Sequence, residues 1–210
     1  PRGDNLTIKE IAKIAGVSTA TVSKVINGKD QNISENTRNR ILKIVDEEGY
    51  IPNSIARSLK VNETKTLGLI VPDVVNQFWS GRARGVEDAA EKEGYTLILC
   101  NTDNNKEKEE NYIKVMQQKM VDGIILAPAE DRFKIPMSRK IPLVVIDRDI
   151  SVDREIGRIG IDNEEATYKS CSHLIEKGCK NIAFISSKND NKSTYDRLSG
   201  YKRALMDNNI

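Results

Sequence analysis

The chain is poor in the residues that build metal centres and disulfide frames. Its 210 residues include three cysteines and one histidine. Cys100, Cys171 and Cys179 form no C-x-x-C pair. An odd, scattered set argues against a disulfide framework or a zinc site, so all three are expected to act as small apolar residues. No run approaches the roughly 18 apolar residues that suggest a membrane span. The N-terminus carries no basic-then-apolar signal, so the expected location is cytoplasmic, with no membrane partner. Neither G-x-G-x-x-G nor G-x-x-x-x-G-K-[ST] occurs, and phosphate cradles for nucleotides are therefore not indicated. With no nucleophile–base pair and no metal cluster in view, an enzyme is disfavoured, and no catalytic residue, metal or cofactor is assigned.

What remains is an ordinary soluble composition, 38% apolar and 30% charged, with a formal net charge of +2. The charge is unevenly spread. Residues 1–60 hold ten Lys/Arg and seven Asp/Glu, a basic module on a near-neutral body, which hints at an anionic partner.

The first sixty residues read as short helices. Thr7 and Glu10 form a T-x-x-E capping box. The helix after them has Ile8, Ile11, Ala12, Ile14 and Ala15 as its apolar set and stops at Gly16. Ser18 caps a second helix, Thr19 to Ile26, with Val22, Val25 and Ile26 inward and Asn27-Gly28 as its break. Ser34 caps a third, running to about Glu48, with Ile41, Leu42, Ile44 and Val45 inward.

Beyond residue 66 the rhythm changes to apolar strands alternating with amphipathic helices. Strands are expected at 66–72, 96–101, 123–128, 143–147, 157–162 and 181–186. Helices are expected at about 78–94, 106–120, 163–178 and 194–208. This is the pattern of βαβ units on a parallel sheet. The "KEKEE" run at 106–110 reads as a solvated helix face, and His173 as structural. The last strands leave a second α/β unit too small to cover its own apolar surface, so the sequence reads as the N-terminal portion of a longer chain, or as one whose missing elements are supplied elsewhere.

The "AGVS" turn between the first two helices has helix-turn-helix proportions. With Val22, Val25 and Ile26 inward, the second helix presents Thr19, Ala20, Ser23, Lys24 and Asn27 as one outward stripe. Hydroxyls, a small apolar group and an amine suit base edges and thymine methyls in a major groove.

"TIKEIAKIAGVSTATVSKVING" followed by "TRNRILKIVDEEGYIPNSIARSLK" closely resembles the N-terminal segment of the lactose-repressor (LacI/GalR) family of bacterial transcription regulators. The rest of the chain follows that family's effector domain in order. The resemblance implies that Thr19, Ala20 and Lys24 meet base edges. It implies that Thr7, Ser18, Ser23, Asn27 and Thr37 touch phosphates or cap helices aimed at them, and that Tyr50 and Asn53 reach the backbone. "IARSLK" matches the family's hinge helix, with Ala56, Leu59 and Lys60 as its DNA-facing residues and the leucine as a minor-groove wedge. A helix from Ser54 to Lys60 is too short to stand alone in water. It is expected to order when paired with its copy on DNA, where Leu59 opens a base step.

The implied organisation is a headpiece over 1–50, a hinge helix and linker over 51–66, a first effector lobe over 67–160, and the start of a second over 161–210. The fold class is α/β: a helix-turn-helix domain plus a two-lobed effector domain, its second lobe incomplete, resembling periplasmic sugar-binding proteins. Residues past strand ends would line the cleft. Asn76, Phe78, Trp79, Asp147, Arg148 and Arg197 together resemble a pentose or hexose pocket of the ribose-binding type. Ala127 departs from that pattern, standing where such sites often have a polar residue. Phe78 and Trp79 also fit a simpler role in stapling their helix to the sheet, and Asp147 with Arg148 a structural ion pair. The expected function is a repressor that binds pseudo-palindromic operator DNA as a homodimer, or in a dimer-based oligomer, under control of a small effector. A purine corepressor or a phosphorylated carrier protein is the alternative regulator. An autoregulatory sugar-metabolising enzyme is the remote one.

Overall fold

A computed structural model describes residues 6–52, 63–129, 141–148, 150, 155–186 and 192–210. The hinge-helix assignments at Asn53, Ala56, Leu59 and Lys60 lie outside these residues. The chain divides into two compact units, Pro1–Asn62 and Glu63–Ile210.

The first unit holds α1 (Ile8–Ile14), α2 (Thr19–Ile26) and α3 (Glu35–Glu47). Each starts where a hydroxyl side chain can accept an otherwise orphaned backbone N–H: Thr7, Ser18 and Ser34 are the N-caps. The helices enclose a small core of Ile11, Ala12, Ala15, Val22, Val25 and Ile41. Ala12 is buried at the crossing, as a close approach of α1 and α2 requires. Gly16 and Gly28 take positive φ (64° and 66°) after α1 and α2, a conformation that costs a side chain far more.

The second unit is built on one five-stranded parallel sheet. Its strands are β1 (Thr66–Val71), β2 (Thr96–Asn101), β3 (Gly123–Leu126), β4 (Leu143–Ile146) and β5 (Gly157–Ile159), ordered β2-β1-β3-β4-β5. β1 and β2 are in register from Thr66↔Thr96 to Val71↔Asn101. The helices are α4 (Gln77–Lys92), α5 (Lys106–Gln118), α6 (Asn163–Glu176) and α7 (Lys192–Asp207). One core cluster packs α5 on the sheet through Ile70, Ile113, Met116, Ile124, Leu126 and Val145. The other packs α4 through Leu69, Val71, Trp79, Ala83 and Ala127. A parallel sheet covered on both faces explains the near-continuous apolar runs of its central strands. Among the described residues no helix is long and apolar enough to cross a membrane.

Five expectations change, the first at Leu42, expected inward on α3 but 40% exposed because it lies about 100° round the helix from the buried Ile41. The 157–162 segment contributes β5, which pairs with β4 through Val144↔Gly157 to Ile146↔Ile159, so it completes the first sheet instead of opening a second. The 181–186 segment forms no strand. Ile185 is 95% exposed, because no neighbouring strand is present among the described residues to accept its ladder bonds. Cys179 is exposed, whereas Cys100 and Cys171 are buried. It follows the Gly178 turn that ends α6, where the chain leaves the packed surface. Burial pushes the Cys100 and Cys171 thiols up, which makes them inert. Finally, "KEKEE" is not wholly a solvated face. Glu109 is 1% exposed, and its carboxylate is held there by a backbone donor twenty residues away, the Ala129 amide.

α6 and α7 pack tightly on each other. Gly200 of α7 lies so close to α6 that a Cβ would overlap the Glu164 carbonyl. Arg203 Nη1 donates to Glu164 Oε1 at 2.7 Å and Nη2 to Glu165 Oε2 at 2.6 Å. Its guanidinium also lies 4.2 Å from the Tyr168 ring centre.

Candidate functional site

In the three-helix unit, α2 separates its two faces as its spacing predicts. Val22 and Val25 are buried, while Thr19, Ala20, Lys24 and Asn27 are exposed and Ser23 is half-buried. The Asn27 side-chain amide donates to the Ser23 carbonyl at 2.6 Å, which closes the last turn of α2 and fixes the stripe's C-terminal end. Arg38 Nε meets Asp30 Oδ2 at 2.8 Å, tying the loop after α2 to α3.

Of the hydroxyls expected near phosphates, those of Thr7, Ser18 and Thr37 are engaged at helix N-caps, while that of Ser23 accepts from the Asn27 side-chain amide at 3.4 Å. Thr7 Oγ1 donates to Glu10 Oε2 at 2.8 Å, and the Thr7 amide donates to the same oxygen at 2.6 Å. These bonds hold the Glu10 carboxyl below its ordinary pKa, the Thr7 backbone bond being the largest cause. Ser18 Oγ accepts from the Thr21 amide at 3.1 Å, and the Thr37 hydroxyl lies 2.9 Å from that of Ser34. Tyr50 is half-buried against the helical core. A phosphate reaching these caps would therefore meet backbone N–H groups and shared hydroxyls.

In the sheet unit the predicted ligand residues fall into two groups. Asn76 caps α4, its Oδ1 accepting from the Phe78 amide at 3.0 Å. Phe78, 38% exposed, meets Trp79 edge-on at 4.9 Å, and the Arg82 guanidinium lies 3.3 Å from the centre of its ring. Trp79 is only 6% exposed and belongs to the α4–sheet core, so its ring is occupied in packing. None of the three lines either cavity described below.

The second group converges. A pocket of about 180 Å³ lies beyond the ends of β4 and β5, lined by Asp147, Arg148, Arg158, Asn163, Lys192, Ser193 and Asp196 among others. Parallel strands all point their carboxyl ends to one edge of the sheet, and α6 and α7 begin beside that edge, which is why these residues meet. Asp147 has φ +69°, a left-handed conformation sparsely populated outside glycine that turns the chain sharply just past β4. Arg148 does not form the ion pair with Asp147 that its sequence position allows. Its Nη1 donates instead to the Pro128 and Ala129 carbonyls. Arg197 Nε donates to Asn163 Oδ1 at 2.9 Å, joining α7 to the buried first residue of α6 without lining the pocket itself.

Arg158, Lys192, Ser193 and Asp196 were not singled out from sequence. The signal available was the position of Lys192 and Asp196 one helical turn apart beside Arg197, which puts all three at the start of one helix. Lys192 Nζ and Asp196 Oδ2 pair at 2.6 Å.

A larger cavity, about 640 Å³, lies between α4 and the β3–β5 side of the sheet and shares Asp147 with the small pocket. Leu67, Val86, Ala90, Ile125, Ile146 and Ile159 line it. So apolar a wall offers little to a hydroxylated ligand. The small pocket, with carboxylate, guanidinium, amide and hydroxyl groups converging, is the candidate ligand site.

Residues 7–53 match the model of bacterial regulatory proteins of the lacI family, and residues 64–208 match that of periplasmic binding proteins and the sugar-binding domain of the LacI family. The chain is 41% identical over 207 residues to the HTH-type transcriptional regulator RegA of Clostridium saccharobutylicum, covering 97% of this chain and 62% of that protein. It is also 41% identical over 208 residues to the HTH-type transcriptional repressor PurR of Vibrio atlanticus, with the same coverages. The chain thus spans about 62% of the length of these relatives. A crystal structure of the lac repressor dimer bound to operator and an anti-inducer superposes with a TM-score of 0.82 at 22% identity, over 99% of this chain and 63% of that one; at that identity it bears on the fold alone. A periplasmic binding protein/LacI transcriptional regulator from Alkaliphilus metalliredigens in complex with D-xylulofuranose matches 70% of this chain and 54% of its own at 35% identity, with a TM-score of 0.60. The two family models together account for both units of the chain, in that order, and the chain belongs to the LacI family of bacterial regulatory proteins.

Proposed function

We propose that this chain is the DNA-reading and ligand-sensing portion of a cytoplasmic transcription repressor. It binds pseudo-palindromic double-stranded operator DNA as a homodimer or dimer-based oligomer. One observation carries the DNA assignment: α2 turns Thr19, Ala20, Lys24 and Asn27 outward while Val22 and Val25 on its other side are buried. A short helix with that division, preceded by a tight turn, is shaped to lay its polar stripe in a major groove. The headpiece covers 1–50, the hinge helix and linker 51–66, the first effector lobe 67–160, and the second starts at 161.

The regulating ligand is a small polyhydroxylated molecule, a pentose or hexose, held in the pocket beyond β4 and β5. Asp147 accepts from hydroxyl pairs and Arg148 donates to ring or hydroxyl oxygens, with Asn163 and Asp196 completing the polar frame and Arg197 holding the Asn163 side chain from behind. The complex of a 35%-identical relative with D-xylulofuranose supports this ligand class. Such a ligand changes operator affinity only through its different affinities for the two states of the repressor.

The experiment is a thermal-shift screen of the full-length protein against D-ribose, D-xylulose, D-fructose, D-glucose, cellobiose, hypoxanthine and guanine. A sugar that binds the native state raises its stability by about 2.7 kcal/mol at 100-fold over its dissociation constant. Stabilisation by a purine with none by any sugar would replace the sugar assignment by a corepressor, the reading that 41% identity to a protein named PurR favours.

A further inference from the structure

Glu109 lies in the first turn of α5, outside the pocket, and is almost wholly buried. Its Oε2 accepts a hydrogen bond from the Ala129 amide at 2.6 Å. The other side of the same turn is gripped by Arg148, whose Nη1 donates to the Pro128 carbonyl at 3.0 Å and also to the Ala129 carbonyl. Pro128 has no amide, and the Ala127 amide is engaged by the Ile70 carbonyl at 2.8 Å. The turn after β3 is therefore fixed on all sides: carboxylate on one amide, sheet on the other, guanidinium on two carbonyls.

We propose that Glu109 is a positioning residue for ligand recognition, acting on Arg148 through the Ala129 peptide. The inference rests on the assignment of Arg148 to the ligand pocket. Arg148 follows Asp147 directly in the chain, and a carboxylate is a stronger electrostatic partner for a guanidinium than two neutral carbonyls. It stays on the carbonyls because they are presented at the right place, and Glu109 presents them. Removing that acceptor leaves the buried Ala129 amide with a desolvation cost that the turn relieves only by moving. Arg148 then loses both carbonyls and turns toward Asp147 or Asp196. The pocket keeps its residues and loses its geometry.

Two readings on the full-length protein test this without a ligand. Hydrogen exchange of a peptide spanning 126–129 reports chiefly Ala127 and Ala129, since Pro128 carries no amide. The ¹⁵Nε signal of Arg148, identified by its loss in Arg148→Lys, reports the guanidinium. Glu109→Leu is expected to speed Ala129 exchange about tenfold or more and to shift the Arg148 signal, whereas Glu109→Gln, which keeps an acceptor, restores both. Faster Ala129 exchange with an unmoved Arg148 signal overturns the relay, as does no change in either. If Glu109→Leu does not fold, Glu109→Asp, one methylene short of the amide, is read in its place.

With D-ribose, D-xylulose and D-fructose as probes, affinity should fall about tenfold in Glu109→Leu and recover in Glu109→Gln. A response lost in Arg148→Lys but intact in Glu109→Leu overturns this inference alone. An undiminished response in Arg148→Lys overturns the pocket assignment and the inference with it.

Discussion

Gly200→Ala is the substitution for which local and tertiary effects have opposite signs. Gly200 is buried inside α7. Considered as one helical residue, replacing it by alanine stabilises by about 1 kcal/mol, because glycine carries the greater backbone entropy. The crossing with α6 reverses this. The added Cβ would overlap the Glu164 carbonyl oxygen and lie 2.9 Å from the Glu164 carbonyl carbon and 3.0 Å from the Tyr168 amide nitrogen. All three are backbone atoms of one helix, so no rotamer change makes room. The helices must separate by about 1 Å, and overpacking of this kind costs about 1–3 kcal/mol.

Separation also lengthens the Arg203 bonds to Glu164 and Glu165 and the Arg197 bond to Asn163, which stand at 2.6 to 2.9 Å. Net destabilisation of about 1 to 2 kcal/mol is expected, or roughly 2–8 °C in the melting midpoint of a domain this size. Thermal and urea unfolding of wild type and Gly200→Ala, followed by circular dichroism, measure it. Because Asn163 and Asp196 line the pocket, ligand affinity should fall as well. A variant more stable than wild type would refute the close crossing of α6 and α7.

Lys24→Ala is expected to change base preference at one operator position, measured by binding to a set of single-base operator variants; uniform loss across the set would show that Lys24 meets phosphate alone. Leu59→Ala should weaken specific operator binding more than non-specific binding, by fluorescence anisotropy at fixed salt, and equal losses would contradict the wedge. Trp79→Ala should cost about 3–5 kcal/mol in urea unfolding, as for other buried aromatics; a loss of ligand affinity without loss of stability would return Trp79 to the ligand site. The Glu10 carboxyl sits below its ordinary pKa in the folded chain. Its contribution to the α1 cap is therefore present above the ordinary carboxylate pKa and lost as pH falls through the lowered value. Amide shifts of Thr7 and Glu10 in an NMR acid titration should follow that transition, and Glu10→Gln should abolish it.

The helical unit was readable from sequence because its determinants are local. A hydroxyl three residues before a donor and a glycine at positive φ each act within one turn, so α1, α2 and α3 begin where Thr7, Ser18 and Ser34 place them. The sheet strands up to β4 were readable for a related reason: strands buried on both faces advertise themselves as apolar runs. What escaped depends on partners far along the chain. "NIAFIS" has the composition of a strand, but pairing is a property of neighbours, and none is present among the described residues. The charge run at 106–110 reads as solvated until Ala129 appears beside Glu109. Arg148 next to Asp147 suggests an ion pair, and only the folded turn after β3 shows two carbonyls competing for the guanidinium. Trp79 and Phe78 are adjacent and chemically similar. Which faces the core follows from the phase of α4 on the sheet, a fact that single-residue pattern does not carry.

The strand order has a consequence for how the chain comes into being. Every ladder of the sheet joins segments well separated in sequence, Thr66 with Thr96 and Leu67 with Gly123 for example. The helical unit closes within residues 6–50. Local helical contacts form on microsecond-to-millisecond timescales, whereas non-local parallel pairings wait for loop closure and are slower. At synthesis rates of about 5–20 residues per second, β2 follows the end of α3 out of the ribosome by several seconds. The outward polar stripe of α2 is thus complete while the sheet is still a nascent chain. If that stripe reads DNA as proposed, a newly made helical unit meets it first as a lone half-site reader, and paired recognition begins only when the slower unit has folded.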